Sequence, residues 1–325
     1  MQTINSDFKQ WIGEQLKSDD FNVQALRNDA SFRSYYRVTQ PDFSYVVMDA
    51  PPDREKTDIF VDIATRWHAE ALPVPKVYAW QKEKGYVMLS DFGDTLLLDV
   101  LNEDNVEKYY EQAINLLVQL QKQAPEHLPL FDESYIRIEL GLFPEWFCSK
   151  LLLMTLNDSE KSMIESLNQQ LVANCLIQPQ VIIHRDFHSR NLMILNQSEH
   201  FGLIDFQDAM IGPLSYDLVS ILKDCYISWP RARIEKWVKN YFDKIKSRYG
   251  LDDFQAFLKW FDWTGLQRHL KVLGIFSRLK IRDNKPHYIN DIPRIMDYVL
   301  DVTARYQEFS DFDEWLRKKI PGSIK

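Results

Sequence analysis

Asp186, Asn191 and Asp205 stand in a stretch where polar residues crowd between apolar runs. It reads His184-Arg185-Asp186-Phe187-His188-Ser189-Arg190-Asn191-Leu192 and, after a hairpin, Ile204-Asp205-Phe206-Gln207. A carboxylate at its ordinary ionised state can take a proton from an attacking hydroxyl near neutral pH. An amide oxygen and a second carboxylate are hard donors that suit Mg²⁺, an ion that keeps several waters and bridges phosphate oxygens. Phosphoryl transfer needs such a set, because its transition state asks for positioning and compensation of charge. Asp186 is therefore the expected proton acceptor, and Asn191 and Asp205 the expected metal ligands. Three unrelated polar turn residues are the bland alternative; their spacing and placement beside strands argue against it.

These side chains need elements to hold them. Val181-Ile182-Ile183, Leu192-Met193-Ile194-Leu195 and Gly202-Leu203-Ile204-Asp205-Phe206 read as three short strands inside a half that is otherwise helical from Asp104 onward. Ile234, Trp237, Val238, Tyr241, Phe242 and Ile245 make one apolar helical face just after Pro230. Ahead of Asp104 the chain opens on an amphipathic helix carrying Phe8, Trp11, Ile12 and Leu16. β-prone runs follow at 22–27, 36–39, 45–48, 76–81 and 86–90, with a helix expected over 55–72. The spacing predicts an α+β chain with a small mixed-sheet part, residues 1–93, and a larger helical part, residues 94–325.

The HxDxxxxN string followed by a strand ending in Asp resembles the catalytic core of kinases, and most nearly the aminoglycoside and choline phosphotransferase superfamily. Gln207 stands where protein kinases carry Gly, residues 208–213 are too few for a long activation loop, and Gly212-Pro213-Leu214-Ser215-Tyr216-Asp217 resembles that superfamily's Gly-Asp-Pro-x-x-Asp signature. Longer strings, among them Asp29-Ala30-Ser31-Phe32-Arg33, Met48-Asp49-Ala50-Pro51-Pro52, Leu142-Phe143-Pro144-Glu145-Trp146 and Gln267-Arg268-His269-Leu270-Lys271-Val272-Leu273-Gly274, are similar to bacterial kinases that phosphorylate N-acetylmuramate and N-acetylglucosamine at the anomeric hydroxyl.

That resemblance implies a two-lobed protein-kinase-like fold, ATP and Mg²⁺ as cofactors, and an amino-sugar acceptor leaving as the 1-phosphate. It places adenine near Met88, Ser90 and Phe92, and has Asp217 brace the catalytic loop. His188, two residues after the base, occupies the place of a phosphate-touching Lys and joins Asp186 as a catalytic candidate. The first lobe lacks a Gly-rich loop, and Met48 stands where a strand Lys is expected, so Ser31, Phe32, Arg33 and Arg37 are the candidates for the nucleotide phosphates, the arginines through their planar forks. Arg190, Asp224, Trp229, Trp263, Arg268 and His269 are candidate sugar contacts, although buried aromatics at helical spacing are more often plain core. His184 is expected to serve the loop backbone.

Other readings stay open at this stage. An aminoglycoside, choline or homoserine acceptor, or a pseudokinase that binds without turnover, would share these motifs. His184-x-Asp186-x-His188 with Asp205 also suits a dinuclear metal hydrolase. Composition excludes more than it selects. A net charge of -8 gives no global basic field for nucleic acid. Cys148, Cys175 and Cys225 form no CxxC pair, which fits a reducing cytoplasm. No run reaches the ~18 apolar residues of a membrane span and the first twenty residues lack a signal-peptide pattern, so a cytoplasmic chain is expected, with no obligate protein partner called for.

Overall fold

The structure, a computed structural model, describes residues 5–26, 32–125, 127–195, 200–320 and 322. The chain divides into two compact units, Met1–Val100 with Arg190–Gln207, and Leu101–Ser189 with Asp208–Lys325.

In the first unit, α1 (Ser6–Leu16) starts at Asn5, whose side chain accepts from the Asp7 N–H, and ends at Lys17 in the left-handed region. Its Phe8, Trp11 and Ile12, spaced one turn apart, bury against Tyr36, Val38, Val47, Tyr86 and Met88. Those belong to a five-stranded sheet of β1 (Asn22–Ala25), β2 (Ser34–Gln40), β3 (Phe43–Asp49), β4 (Val77–Gln81) and β5 (Tyr86–Ser90), in the order β1-β2-β3-β5-β4. Every neighbouring pair is antiparallel, so the sheet is not the mixed one expected. Helix α2 (Thr57–Ala69) lies between β3 and β4, and α3 (Leu97–Val100) follows β5.

The first unit also takes in a later piece of chain, which a single boundary at residue 93 does not anticipate. The hairpin of β7 (Leu192–Ile194) and β8 (Phe201–Leu203) is tied to it by Ile194 N–H to the Thr95 carbonyl at 2.9 Å and Leu203 N–H to the Pro73 carbonyl at 2.7 Å. Phe206 stacks on Phe60 and lies beside Trp67, ring centroids 4.9 and 5.7 Å apart, both from α2. Gly202 has no side chain because Phe92 fills that space: a Cβ there would meet the ring at 2.3 Å.

The second unit is mainly helical: α4 (Val106–Leu120), α5 (Glu133–Leu142), a π-helix (Phe143–Leu151), α6 (Asp158–Ile177), α7 (Tyr216–Leu222), α8 (Arg231–Tyr249), α9 (Phe254–Ile281), α10 (Ile292–Thr303) and α11 (Ser310–Lys319). A two-stranded ladder of β6 (Gln180–Ile183) and β9 (Met210–Pro213) interrupts it. Helix α9 is buried on every side between Phe261 and Leu273, as a helix at the centre of its unit must be. It touches α5, α6, α7, α10 and the π-helix. At Gly274 it comes so close that an added Cβ would lie 2.5 Å from the Leu142 backbone carbonyl. No helix among the described residues is long and apolar enough to cross a membrane.

Candidate active site

The loop after β6 carries Asp186 and His188 in the second unit, and two buried carboxyl groups hold it. Asp217, in the first turn of α7, accepts from the His184 N–H at 2.6 Å and the Arg185 N–H at 3.0 Å. Asp224, just past the C-terminus of α7, accepts from the Ser189 N–H at 2.9 Å and its hydroxyl at 2.6 Å. The loop that carries Asp186 is thus stapled from both sides by groups seven residues apart. Arg185 takes φ of +74°, a conformation that costs a non-glycine residue on the order of 1 kcal/mol or more and persists only where the surroundings impose it. Burial pushes the Asp217 carboxyl up to about 7, against the two N–H groups and Arg268, which pull it down.

Asp186 keeps 42% of its side-chain surface exposed. Burial alone would raise its pKa, but Lys271, Arg268, His188 and Arg185 hold it well below the ordinary carboxylate range, and it is ionised at neutral pH. The His188 N–H donates to the Asp186 carbonyl at 2.9 Å, and its ring stands edge-on to Tyr226, centroids 5.4 Å apart, with Nδ1 buried and unpartnered.

In the first unit the structure brings Asn191 and Asp205 together. The Asn191 amide nitrogen lies 3.4 Å from Asp205 Oδ2, the Ile204 N–H donates to the Asn191 carbonyl at 3.1 Å, and the Gln207 amide donates to Asp205 Oδ1 at 2.8 Å. Asp205 takes φ of +64° at the end of β8. Arg33 pairs with Glu55 at 2.9 Å. Tyr35 joins this group: burial raises its hydroxyl, Arg33 lowers it and Asp205 raises it. Arg33, Glu55, Tyr35 and Asp205 therefore form one electrostatic cluster.

Several residues expected at ligands are occupied otherwise. All five N–H groups of Arg37 are taken, by Asp91, Asp94 and the Gly93 carbonyl, so it braces the end of the sheet. Met88 packs its side chain in the α1 core, and Ser90 Oγ accepts from the Lys76 N–H at 3.0 Å. Phe92 covers Gly202. Phe32 is exposed beneath the Arg54 guanidinium, 4.9 Å from the ring centroid, and Ser31 lies outside the described residues. Trp229 is core, its indole donating to the Tyr110 hydroxyl at 2.9 Å. Trp263 packs on Phe309 with centroids 4.5 Å apart. His269 is fully buried, bonded to the Lys223 carbonyl at 3.0 Å and stacked on Tyr298; burial lowers its pKa to about 3 and keeps it neutral. Asp224 serves the loop, and Arg190 is half-buried in the turn before β7. Of the sugar candidates, Arg268 reaches Asp186, from within the protein.

Three residues that sequence reasoning did not single out complete the surroundings of Asp186. Glu139 of α5 is buried and pairs with Lys271 at 2.8 Å and Arg185 at 2.9 Å, while Gln267 donates to it at 3.1 Å. Lys271 also reaches the Tyr216 hydroxyl at 3.1 Å. Gln267 and Lys271 stand in a recognised string, yet nothing local assigns them to the surroundings of Asp186. The hydrolase alternative finds little here: the described residues contain no group of three or more His, Cys, Asp or Glu able to hold a metal, and the His184 ring is fully buried.

Comparison with known proteins identifies the family and the fold. A family model described as a phosphotransferase enzyme family matches residues 22–256. A protein of Pseudomonas putida named N-acetylmuramate/N-acetylglucosamine kinase is 37% identical, covering 96% of this chain and 96% of its own length. One of the same name from Neisseria meningitidis is 38% identical, covering 93% and 92%. Among solved structures, an ADP-bound aminoglycoside phosphotransferase superposes with a TM-score of 0.63 at 14% identity, over 95% of this chain and 99% of that one. A Plasmodium vivax ethanolamine kinase gives 0.63 at 13%, over 87% and 82%. The fold is that of these kinase-like enzymes, and the chain belongs to the phosphotransferase enzyme family.

Proposed function

We propose that this enzyme uses ATP and Mg²⁺ to phosphorylate the anomeric hydroxyl of N-acetylmuramate or N-acetylglucosamine. The observation that carries the reading is the likeness, at 37–39% identity over 91–96% of the chain, to relatives named N-acetylmuramate/N-acetylglucosamine kinase. The site chemistry supports it. Asp186, ionised and partly exposed on a doubly stapled loop, takes the proton of the acceptor hydroxyl. The acceptor oxygen then bonds to the γ-phosphorus as the bond to the bridging oxygen breaks, releasing ADP.

Asn191 and Asp205 would hold the metal. The Asp205 carboxylate and the Asn191 amide, whose nitrogen lies 3.4 Å from Asp205 Oδ2, each carry a hard oxygen of the kind that suits Mg²⁺. When bound, the ion compensates charge building on the phosphate oxygens. Arg33, in the cluster with Tyr35 and Asp205, is favoured over the saturated Arg37 as the cation facing phosphate, in the role a strand Lys plays in other kinases.

The test is an acceptor panel of amino sugars, aminoglycosides, choline and homoserine with Mg·ATP, read by phosphorus NMR. An anomeric phosphate on an N-acetylated amino sugar is the expected product; turnover confined to aminoglycosides or simple alcohols overturns the assignment.

A further inference from the structure

Arg268 is 2% exposed, and its one ion pair among the described residues is with Asp186, Nη2 to Oδ1 at 3.7 Å. Its Nε–H is buried and has no partner. Such a group is costly: a buried guanidinium without a close carboxylate is destabilising, and an apolar replacement is often neutral or better for the fold. The neighbouring cations are compensated differently. Glu139 takes both Lys271 and Arg185, and Asp217 is spent on the His184 and Arg185 N–H groups. Arg268 has Asp186 as its ion-pair partner, with Asp217 also acting on it electrostatically and the Tyr216 ring centroid 5.6 Å away, although Arg268 and Asp186 sit 82 residues apart in sequence.

The second contact of Arg268 explains the placement. Its Nη1 donates to the Arg185 carbonyl at 3.0 Å, the peptide oxygen immediately ahead of Asp186 and on the residue held at positive φ. One rigid guanidinium fork therefore spans the backbone before the base and the carboxylate of the base. We infer that Arg268 is a positioning residue for the phosphoryl-transfer reaction, fixing the direction of the Asp186 carboxylate and keeping it charged. This inference rests on the reading of Asp186 as the proton acceptor.

Asp186 is faced by Arg185 and His188 from its own loop and by Arg268 and Lys271 from α9. Asp217 faces it from α7, and Cys225 from beyond the end of that helix. Removing one of the cations raises the pKa of the carboxylate. Because the ionised form is active, turnover is then lost at a higher pH as the solution is acidified.

The experiment compares Arg268→Gln, Arg268→Lys and Asp186→Asn with the wild type, measuring kcat, KM for ATP and the pH profile of kcat on protein whose folding is checked by thermal unfolding. Arg268→Gln is expected to lose about tenfold or more in kcat with KM for ATP changed by less than about threefold, and to show an acid limb that the wild type and Arg268→Lys lack. A folded Arg268→Gln with wild-type kcat and profile overturns the inference, as does a parallel loss in all parameters without the new limb. Should Arg268→Gln not fold, Arg268→Lys decides: it keeps the charge but cannot span both contacts, so a lower kcat at unchanged KM supports the inference and wild-type kcat overturns it. Turnover retained by Asp186→Asn removes the underlying reading instead; an inactive Asp186→Asn beside an unaffected Arg268→Gln removes only the inference about Arg268.

Discussion

Asp224→Ala takes away the acceptor that fixes the far side of the loop carrying Asp186. The Asp224 side chain receives the Ser189 N–H at 2.9 Å, the Ser189 hydroxyl at 2.6 Å and the Tyr226 N–H at 2.9 Å. Ser189 is fully buried, so no water replaces the lost partner. Each buried donor left unpaired costs about 1–3 kcal/mol, and the partly exposed Tyr226 N–H adds less, for a total of about 3–5 kcal/mol. In a unit of this size each kcal/mol moves Tm by about 2–4 °C, so a drop of roughly 10 °C is expected. Ser189→Ala keeps the backbone bond and loses only the hydroxyl, so its cost is about 1–2 kcal/mol. Thermal unfolding of both single variants and the double variant measures the coupling, expected at about 1–3 kcal/mol. Turnover should fall most in Asp224→Ala, because Ser189 is three residues from Asp186. An Asp224→Ala protein within about 1 kcal/mol of wild type and fully active refutes the reasoning.

Two glycines and a histidine supply further checks. Gly274→Ala drives a Cβ to 2.5 Å from the Leu142 backbone, which cannot yield as a side-chain tip can, and should cost about 3 kcal/mol; Gly141→Ala meets nothing within 4 Å and should be neutral or stabilising by up to about 1 kcal/mol. Equal melting temperatures for the two would contradict the packing of α9. His269, buried neutral with its pKa lowered to about 3, binds no proton in the native state at pH 5, whereas the unfolded chain protonates it below its ordinary 6.5. Stability therefore falls as pH drops, by about 2 kcal/mol between pH 7 and 5, and His269→Asn should remove that slope in urea titrations; an unchanged slope would place its origin elsewhere.

What the sequence disclosed follows the reach of local physics. The opening helix shows itself because Phe8, Trp11 and Ile12 repeat at helical spacing, and the strands of the first sheet because short β-prone runs are bounded by turn residues. The strand that follows the candidate site, β9, stayed hidden because Met210-Ile211-Gly212-Pro213 ends in two turn formers, and only pairing with β6 makes it a strand. The π-helix after α5 has no distinguishing composition, since helix propensity does not separate π from α geometry. The HxDxxxxN spacing brought out Asp186 and Asn191 because loop length fixes it. Glu139, Arg268 and Lys271 reach the loop from α5 and α9, and convergence of residues so distant along the chain is a property of packing alone. The same limit explains Arg37, whose partners Asp91 and Asp94 lie more than fifty residues away, and Asp224, whose buried bonds to the loop turned a candidate sugar contact into a brace.

The most direct measurement of the central claim is single-turnover transfer of the labelled γ-phosphoryl group from Mg·ATP to N-acetylmuramate by wild-type enzyme and by Asp186→Asn. The account predicts label in an acid-labile sugar phosphate with wild type, and a rate lowered by about 10²–10⁴ in Asp186→Asn with nucleotide affinity unchanged. Transfer by Asp186→Asn at the wild-type rate, or label appearing only in inorganic phosphate, would contradict it.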